Sequence, residues 1–234
     1  LIDFEASPAD VPVDSVGSVL SIALAAAEGR LLRVLADLEL DFYGFFQIAG
    51  SFAVQKNRSY LTLSDGESVE VDVLAFGGTN LSAFAGANID DPVNRIGFQL
   101  TNASFAVNLA TEVEGDGVFT SIEAAVDSAS LQGASDVVVS GTDLLLQINR
   151  STDERYADFK SAEYSIPVGP GEDYVFTMDG DAGELTAISG SMDIVLAGFV
   201  SASGNFAVRK SLGSVSLFES DTATDVEMLT IGAS

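Results

Sequence analysis

The chain has 234 residues, 47% hydrophobic and 19% charged, with 35 acidic residues against 10 basic ones. It has no Cys, His or Trp, which excludes Cys/His zinc sites, cysteine proteases and Ser-His-Asp triads. A formal charge of −25 argues against binding nucleic acid or anionic lipid, and the apolar content suits a large core rather than a disordered chain.

The chain opens Leu1-Ile2-Asp3 without Met, and is read as a fragment or a processed product. Val19 to Ala27 is the most apolar run. It is shorter than the ~18 residues of a membrane span. It also lies too far in, with no basic segment before it, to be a signal peptide. By propensity, residues 18–38 look helical, being rich in Ala and Leu.

An internal match argues otherwise. Residues 40–56 (LDFYGFFQIAGSFAVQK) and 194–210 (IVLAGFVSASGNFAVRK) share Gly44/Gly198, Phe45/Phe199, Gly50/Gly204, Phe52/Phe206 and Lys56/Lys210 at an offset of 154. Upstream, Asp3-Phe4 matches Asp158-Phe159, Pro12-Val13 matches Pro167-Val168, and Gly29 matches Gly183. Downstream, Leu74, Phe76 and Gly77 match Leu229, Ile231 and Gly232. The chain therefore divides into one complete β repeat unit, 1–154, and the first half of the next, 155–234. A shorter echo, Ser104-Phe105-Ala106-Val107 against Ser51 to Val54, hints at a smaller building block. The counterpart of 18–38 is 172–192, which alternates Tyr, Val, Phe, Thr and Ile and does not look helical. Copies of one unit share one fold, so both are read as strands.

From Leu38 to Val54 no even position is polar, and 192–208 keeps the same phase. Read as one strand, seventeen residues span roughly 55 Å, far beyond the ordinary length. The alternatives are a long bent strand with its glycines on the apolar face, or two strands joined by a tight turn at Gly50-Ser51. Asp65-Gly66 marks a hairpin between 60–63 and 69–74. Further strands are predicted near 95–101, 103–111, 118–131, 135–148 and 157–168, with breaks at 90–92, 114–117, 133–134 and 151–154. The short connections favour antiparallel pairing. The predicted fold is all-β: an elongated, mainly antiparallel sheet array of repeats with long bent strands.

Candidate sites are few. Acidic turns could bind calcium, which takes carboxylate and carbonyl oxygens: Asp179, Asp181 and Glu184; Glu112, Glu114 and Asp116; and Asn88, Asp90 and Asp91. Against each stands an ordinary solvated acidic turn. The counterparts of Asp179, Asp181 and Glu184 are Ala25, Ala27 and Arg30, so that cluster does not belong to the unit as such. No carboxylate pair is set among aromatics as in a glycosidase, and no Ser-Lys pair stands out. Lys56 and Lys210 hold the same place, either to make a cross-repeat salt bridge to a neighbouring Asp or Glu or as lysines that protect a sheet edge. Asn-x-Ser sequons occur at Asn57, Asn80, Asn102 and Asn149.

The run GFFQIAGSFAVQK, the following Ser-Asp-Gly turn, VEVDVLAFGG and LSAFAGAN resemble the tandem repeats of very long bacterial extracellular adhesin-like proteins. The resemblance covers nearly the whole chain. It implies a secreted or surface-displayed chain, and it brings no catalytic residue with it. The function expected is structural or adhesive, without catalysis. Expected partners are neighbouring repeats and identical chains, with neither nucleic acid nor a membrane span, and calcium is the only cofactor in view. The alternative is a β module whose apolar face forms a groove for lipid acyl chains. A third reading, an enzyme acting on acidic polysaccharide, requires a cleft with a perturbed carboxylate pair.

Overall fold

Thirteen strands account for most of the residues that the computed structural model describes: 6–12, 19–22, 31–216 and 223–234. β1 (Ala9–Pro12) and β2 (Val19–Ile22) pair as a hairpin. Then follow β3 (Leu32–Phe42), β4 (Phe46–Thr62), β5 (Ser68–Ala87), β6 (Ile96–Glu112), β7 (Val118–Gln132) and β8 (Val137–Ser151). β9 (Ser165–Gly169) and β10 (Glu172–Val175) form a second small hairpin, and β11 (Leu185–Leu196), β12 (Val200–Ser216) and β13 (Ala223–Ala233) close the described chain. Nine strands make one sheet in the order β13-β12-β11-β8-β7-β6-β5-β4-β3, every neighbouring pair antiparallel. Among the described residues there is no α-helix, only one 3-10 turn at Gly180–Ala182.

Of 18–38, the described stretches 19–22 and 32–38 are strand; of 172–192, 172–175 and 185–192 are strand, but 176–184 is not and holds the 3-10 turn at Gly180–Ala182, because it belongs to the crossover that packs on the sheet. Residues 23–30 lie outside the described residues, and so do Asp3, Phe4 and Val13 of the upstream matches.

The apolar run from Leu38 to Val54 is neither one strand nor a hairpin about Gly50-Ser51. The chain reverses at Tyr43-Gly44-Phe45. Tyr43 and Gly44 have φ of 55° and 68°, and the Phe45 N–H donates to the Phe42 carbonyl. That is the turn type favoured where two strands meet tightly. Ala197 (φ 48°), Gly198 (φ 68°) and the Phe199 N–H to Leu196 carbonyl bond repeat it between β11 and β12. The loop between the paired residues Phe42 and Phe46 is three residues long. An odd loop preserves parity, so even positions face the same side before and after the turn. The sequence thus reads as an uninterrupted strand although the backbone doubles back.

Two other expectations change. Residues 95–101 and 103–111 form the single strand β6, and of 157–168 only the last part, from Ser165, is strand. Residues 152–184 instead leave the sheet at the end of β8 and return at β11, which pairs with β8 (Asn149 opposite Leu185). This crossover lies across one face of the sheet.

A crease of left-handed or bulged positions crosses the sheet. Asn80, Asn102 and Asp143 have φ of 53°, 50° and 52°, and Gly50 and Gly190 have φ of 153° and 158°. The register shifts beside Gly50, Asn80 and Gly190. Asn, Asp and Gly are the residues that take such angles most readily, and bulges bend and twist the strands that carry them.

Candidate functional site

The crossover covers one end of the sheet and makes the main core. Leu61, Val71, Val73, Ala106, Ala110 and Phe119 of the sheet lie under Phe159, Ile166, Val168, Phe176 and Met178. The crossover rings pack on one another, Phe159 and Phe176 stacking with centroids 4.8 Å apart. Burying a side chain as large as Phe119 or Phe176 contributes about 1.5–3 kcal/mol.

Polar groups enter this core at defined rows. Register places Gln55, Ala75, Asn108, Ser121, Asn149, Leu185 and Ser211 opposite one another across seven strands. Asn108, Ser121 and Asn149 are fully buried. The Asn149 side chain donates to the Ala157 carbonyl at 2.7 Å. One row along, Glu123 is fully buried and accepts from the Thr177 N–H (2.7 Å), the Thr177 hydroxyl and the Gln147 amide (2.7 Å). It ties the crossover to β7 and β8. Burial, with the Glu123 charge nearby, pushes the Tyr174 hydroxyl up to about 12.

None of these buried groups stands out in the sequence, because Glu123 occupies an alternating strand position where a carboxylate reads as solvent-facing. The buried Asn149 side chain also removes one sequon from the accessible surface. Asn80 and Asn102 have a conformational reason to be Asn, since both hold crease positions.

The calcium candidates are spread among separate ion pairs and turns. Asp179 caps the 3-10 turn by accepting from the Asp181 N–H, and pairs with Lys160 at 2.7 Å. The Lys160 hydrogen bond holds its carboxyl below the usual range. Glu184 pairs with Arg150 at 3.6 Å. Glu112 receives Arg155 at 2.6 Å, and the same guanidinium binds Asp153 and approaches Glu67. Glu114 and Asp116 lie in the turn between β6 and β7. Asp91 is engaged by the Asn94 amide and by the backbone N–H groups of Val93 and Asn94, which hold its carboxyl low. With Asn88 and Asp90 it borders an open cleft near Gly44. Among the described residues no group of three or more acidic side chains is arranged to hold a metal ion. Ala25, Ala27 and Arg30 lie outside the described residues.

Lys56 and Lys210 stand on β4 and β12, which have neighbours on both sides. They are therefore not edge lysines. Lys210 pairs with Glu227 of β13 at 3.0 Å.

The other face of the sheet is apolar and, among the described residues, uncovered. One row reads Val54, Phe76, Val107, Ile122 and Ile148, and a second reads Phe42, Phe46, Ala85, Phe98 and Leu131. Phe42 is 47% exposed, and Val54, Leu74, Phe76, Phe98 and Leu109 are exposed too. At one end the apolar band stops at the ion pairs Arg58–Asp72 and Lys210–Glu227. At the other it stops at turn-tip aromatics, Tyr43 (94% exposed) and Phe199 (93%). Beyond the crease the crossover side carries a mostly polar row, Asp41, Gln47, Phe84, Gln99, Ser130, Ser140, Asp193 and Ser203. An exposed apolar surface of this extent normally marks an interaction face. No helix among the described residues is long and apolar enough to cross a membrane. Comparison with family models, with curated proteins and with solved structures finds no match.

Proposed function

We propose that this chain is a structural segment of a secreted or surface-displayed bacterial repeat protein, a sheet-building unit of a filament or giant adhesin with no catalysis of its own. The pairing of β8 with β11 carries this reading. In it, β8 is the last strand of the unit 1–154 and β11 the first long strand of the next, so the sheet runs from unit to unit without a break.

Equivalent registers support the reading. Leu32 faces Lys56 and Phe42 faces Phe46 in β3–β4, while Thr186 faces Lys210 and Leu196 faces Val200 in β11–β12. Pro12 faces Val19 in the first small hairpin, and Pro167 faces Asp173 in the second. Each unit adds the six strands β3 to β8, which at about 4.8 Å per strand lengthens the sheet by roughly 29 Å. Six is even, so every unit starts in the same direction. In such arrays stability grows with unit number. Exposed turn aromatics such as Tyr43 and Phe199 offer adhesive contacts.

Electron microscopy of chains with two, four and six units tests this. The expected result is a particle whose long dimension grows in proportion to unit number. A globule growing in all directions overturns the reading.

The open apolar face favours a second reading, in which Phe42, Phe46, Ile48 and Phe52 hold acyl chains. Native mass spectrometry of the purified chain checks it. Bound lipid supports this reading, and lipid-free protein in its folded charge states rejects it.

A further inference from the structure

We infer that the sheet face beneath the crossover is a docking site for the opening segment of the following unit, and that residues 3–24 are a second such segment, patterned to roof the same face in another unit. This rests on the repeat reading above and goes beyond it by naming what joins one unit to the next besides the ladder.

The boundary between units falls inside the main core. Asp158-Phe159, Pro167-Val168 and Gly183 match Asp3-Phe4, Pro12-Val13 and Gly29, so the crossover from residue 155 onward is the opening of the second unit. Yet it packs on Leu61, Val71, Val73, Ala106 and Phe119, all from the first. The matched residues are the ones that seat it. Phe159 and Val168 are buried. The Val168 Cγ1 lies 2.6 Å from the point where Gly77 would carry a Cβ, so it fills the space that a side chain there would take. Asp158 accepts from the N–H groups of Lys160, Ser161 and Gly180 and so ties the two ends of the roof together.

Residues 3–24 carry the same inner pattern. Val11 pairs with Leu20 and Pro12 with Val19 in their hairpin, as Ile166 pairs with Tyr174 and Pro167 with Asp173 in the crossover. The stretch between Pro12 and Val19 is one residue longer than that between Pro167 and Asp173, which is why the offset changes by one across it. Carried along the sequence, this alignment sets Phe4, Val11, Val13, Ile22 and Leu24 in the places of Phe159, Ile166, Val168, Phe176 and Met178. Phe4, Val13 and Leu24 enter by sequence match, since they lie outside the described residues. All five are apolar, whereas the exposed Lys160 and Ser165 become Glu5 and Asp10. Inward positions keep their character and outward ones change. Glu123 asks only for a main-chain N–H at position 177, which Ala23 also supplies. A unit with the site on its sheet and the ligand at its start joins head to tail, and contacts of that kind continue without closing.

A graft within the whole chain tests this. Residues 3–13 replace 158–168 and residues 19–24 replace 173–178, which keeps the turn 169–172 and the 3-10 turn in place. The control carries the same two segments scrambled. The expected result is amide protection at position 177 roughly tenfold or more above that of the control. Val13→Asp within the graft should remove it, as Val168→Asp should in the wild type. Equal protection in graft and control overturns the inference, and so does protection that survives Val13→Asp.

A second arm reads the sheet itself, since the chain contains no cysteine. Val139→Cys with Ile194→Cys, and Val138→Cys with Val195→Cys, are facing pairs across β8–β11. One of two successive pairs is the closely spaced kind that a disulfide suits. If a pair closes in the otherwise wild-type chain while the graft loses protection or fails to close, the docking segment alone is rejected. If neither pair closes in the otherwise wild-type chain, the continuous sheet is rejected and the inference with it.

Discussion

The Leu144 side chain occupies the space where Gly190 would carry a Cβ, its Cδ2 only 2.6 Å from that point. Leu81 stands to Gly50 in the same way at 2.7 Å. Both leucines follow a residue with positive φ, Asp143 and Asn80. Each leucine side chain thus caps the bulge opposite its own strand and fills the crease from the apolar side. Gly190→Ala and Gly50→Ala should each cost about 1–3 kcal/mol, through the clash and the φ values of 158° and 153°. Adding Leu144→Ala to Gly190→Ala should recover only part, because the Thr142 carbonyl and the Leu144 Cα remain 3.1 Å away. Urea melts of the single and double variants measure this, and full recovery would contradict it.

Glu123 is the fastening between crossover and sheet. Glu123→Ala takes the acceptor from the Thr177 N–H and leaves the Gln147 amide only its 3.3 Å bond to the Thr177 hydroxyl, at about 1–3 kcal/mol. Glu123→Gln should cost less, since one oxygen can still accept. Amide exchange at Thr177 should accelerate in both variants, and protection unchanged from the wild type would show that the aromatic packing alone holds the crossover down.

Ser121 and Asn149 face each other in the same buried row but should respond oppositely. The Ser121 hydroxyl has no hydrogen-bond partner among the described residues, so Ser121→Ala should leave stability within about 0.5 kcal/mol or raise it. Asn149→Ala removes the bond to the Ala157 carbonyl and should cost about 1–3 kcal/mol. Thermal melts of the two variants side by side decide this, and equal losses would show that the row acts as one network.

The class of fold was legible in the sequence because period-two alternation is a direct image of the pleat. The hairpin at Asp65-Gly66 was legible because Gly66 supplies the φ of 82° that its turn needs. The turn at Tyr43-Gly44-Phe45 was hidden because a three-residue loop leaves the parity of the pattern intact. The stretch 157–164 reads as strand because Tyr156, Phe159 and Tyr164 are as apolar as strand residues, although they pack on the sheet rather than joining it. The buried Glu123 was invisible because its acceptors are satisfied by Thr177, fifty-four residues away. No local pattern encodes such a partner.

Acid should weaken the crossover first. Burial pushes the Asp158 carboxyl up, but hydrogen bonds from Ser161, Gly180 and Lys160 outweigh it and hold the group below its ordinary value. The folded chain therefore binds this proton less readily than the unfolded chain. The stabilisation is present above the unfolded value of about 3.9 and is lost as pH falls below it. Asp153 adds to the trend in the same direction. The melting temperature should fall as the pH drops below about 4. Asp158→Asn should make that fall shallower while lowering the melt modestly at neutral pH, and an identical slope in wild type and variant would remove Asp158 from the account.

Because β8 and β11 are direct antiparallel neighbours, the whole of 152–184 is topologically a loop inserted into one hairpin. The ladder that flanks it fixes only where the insert leaves and returns. Its inner side has no such freedom, because Phe159, Ile166, Val168, Phe176 and Met178 roof Leu61, Val71 and Phe119, and a bare two-residue turn would strip that core. Its outward side carries no such duty. Length, charge and shape can therefore vary there while the buried footprint and the main-chain ladder beneath it stay as they are.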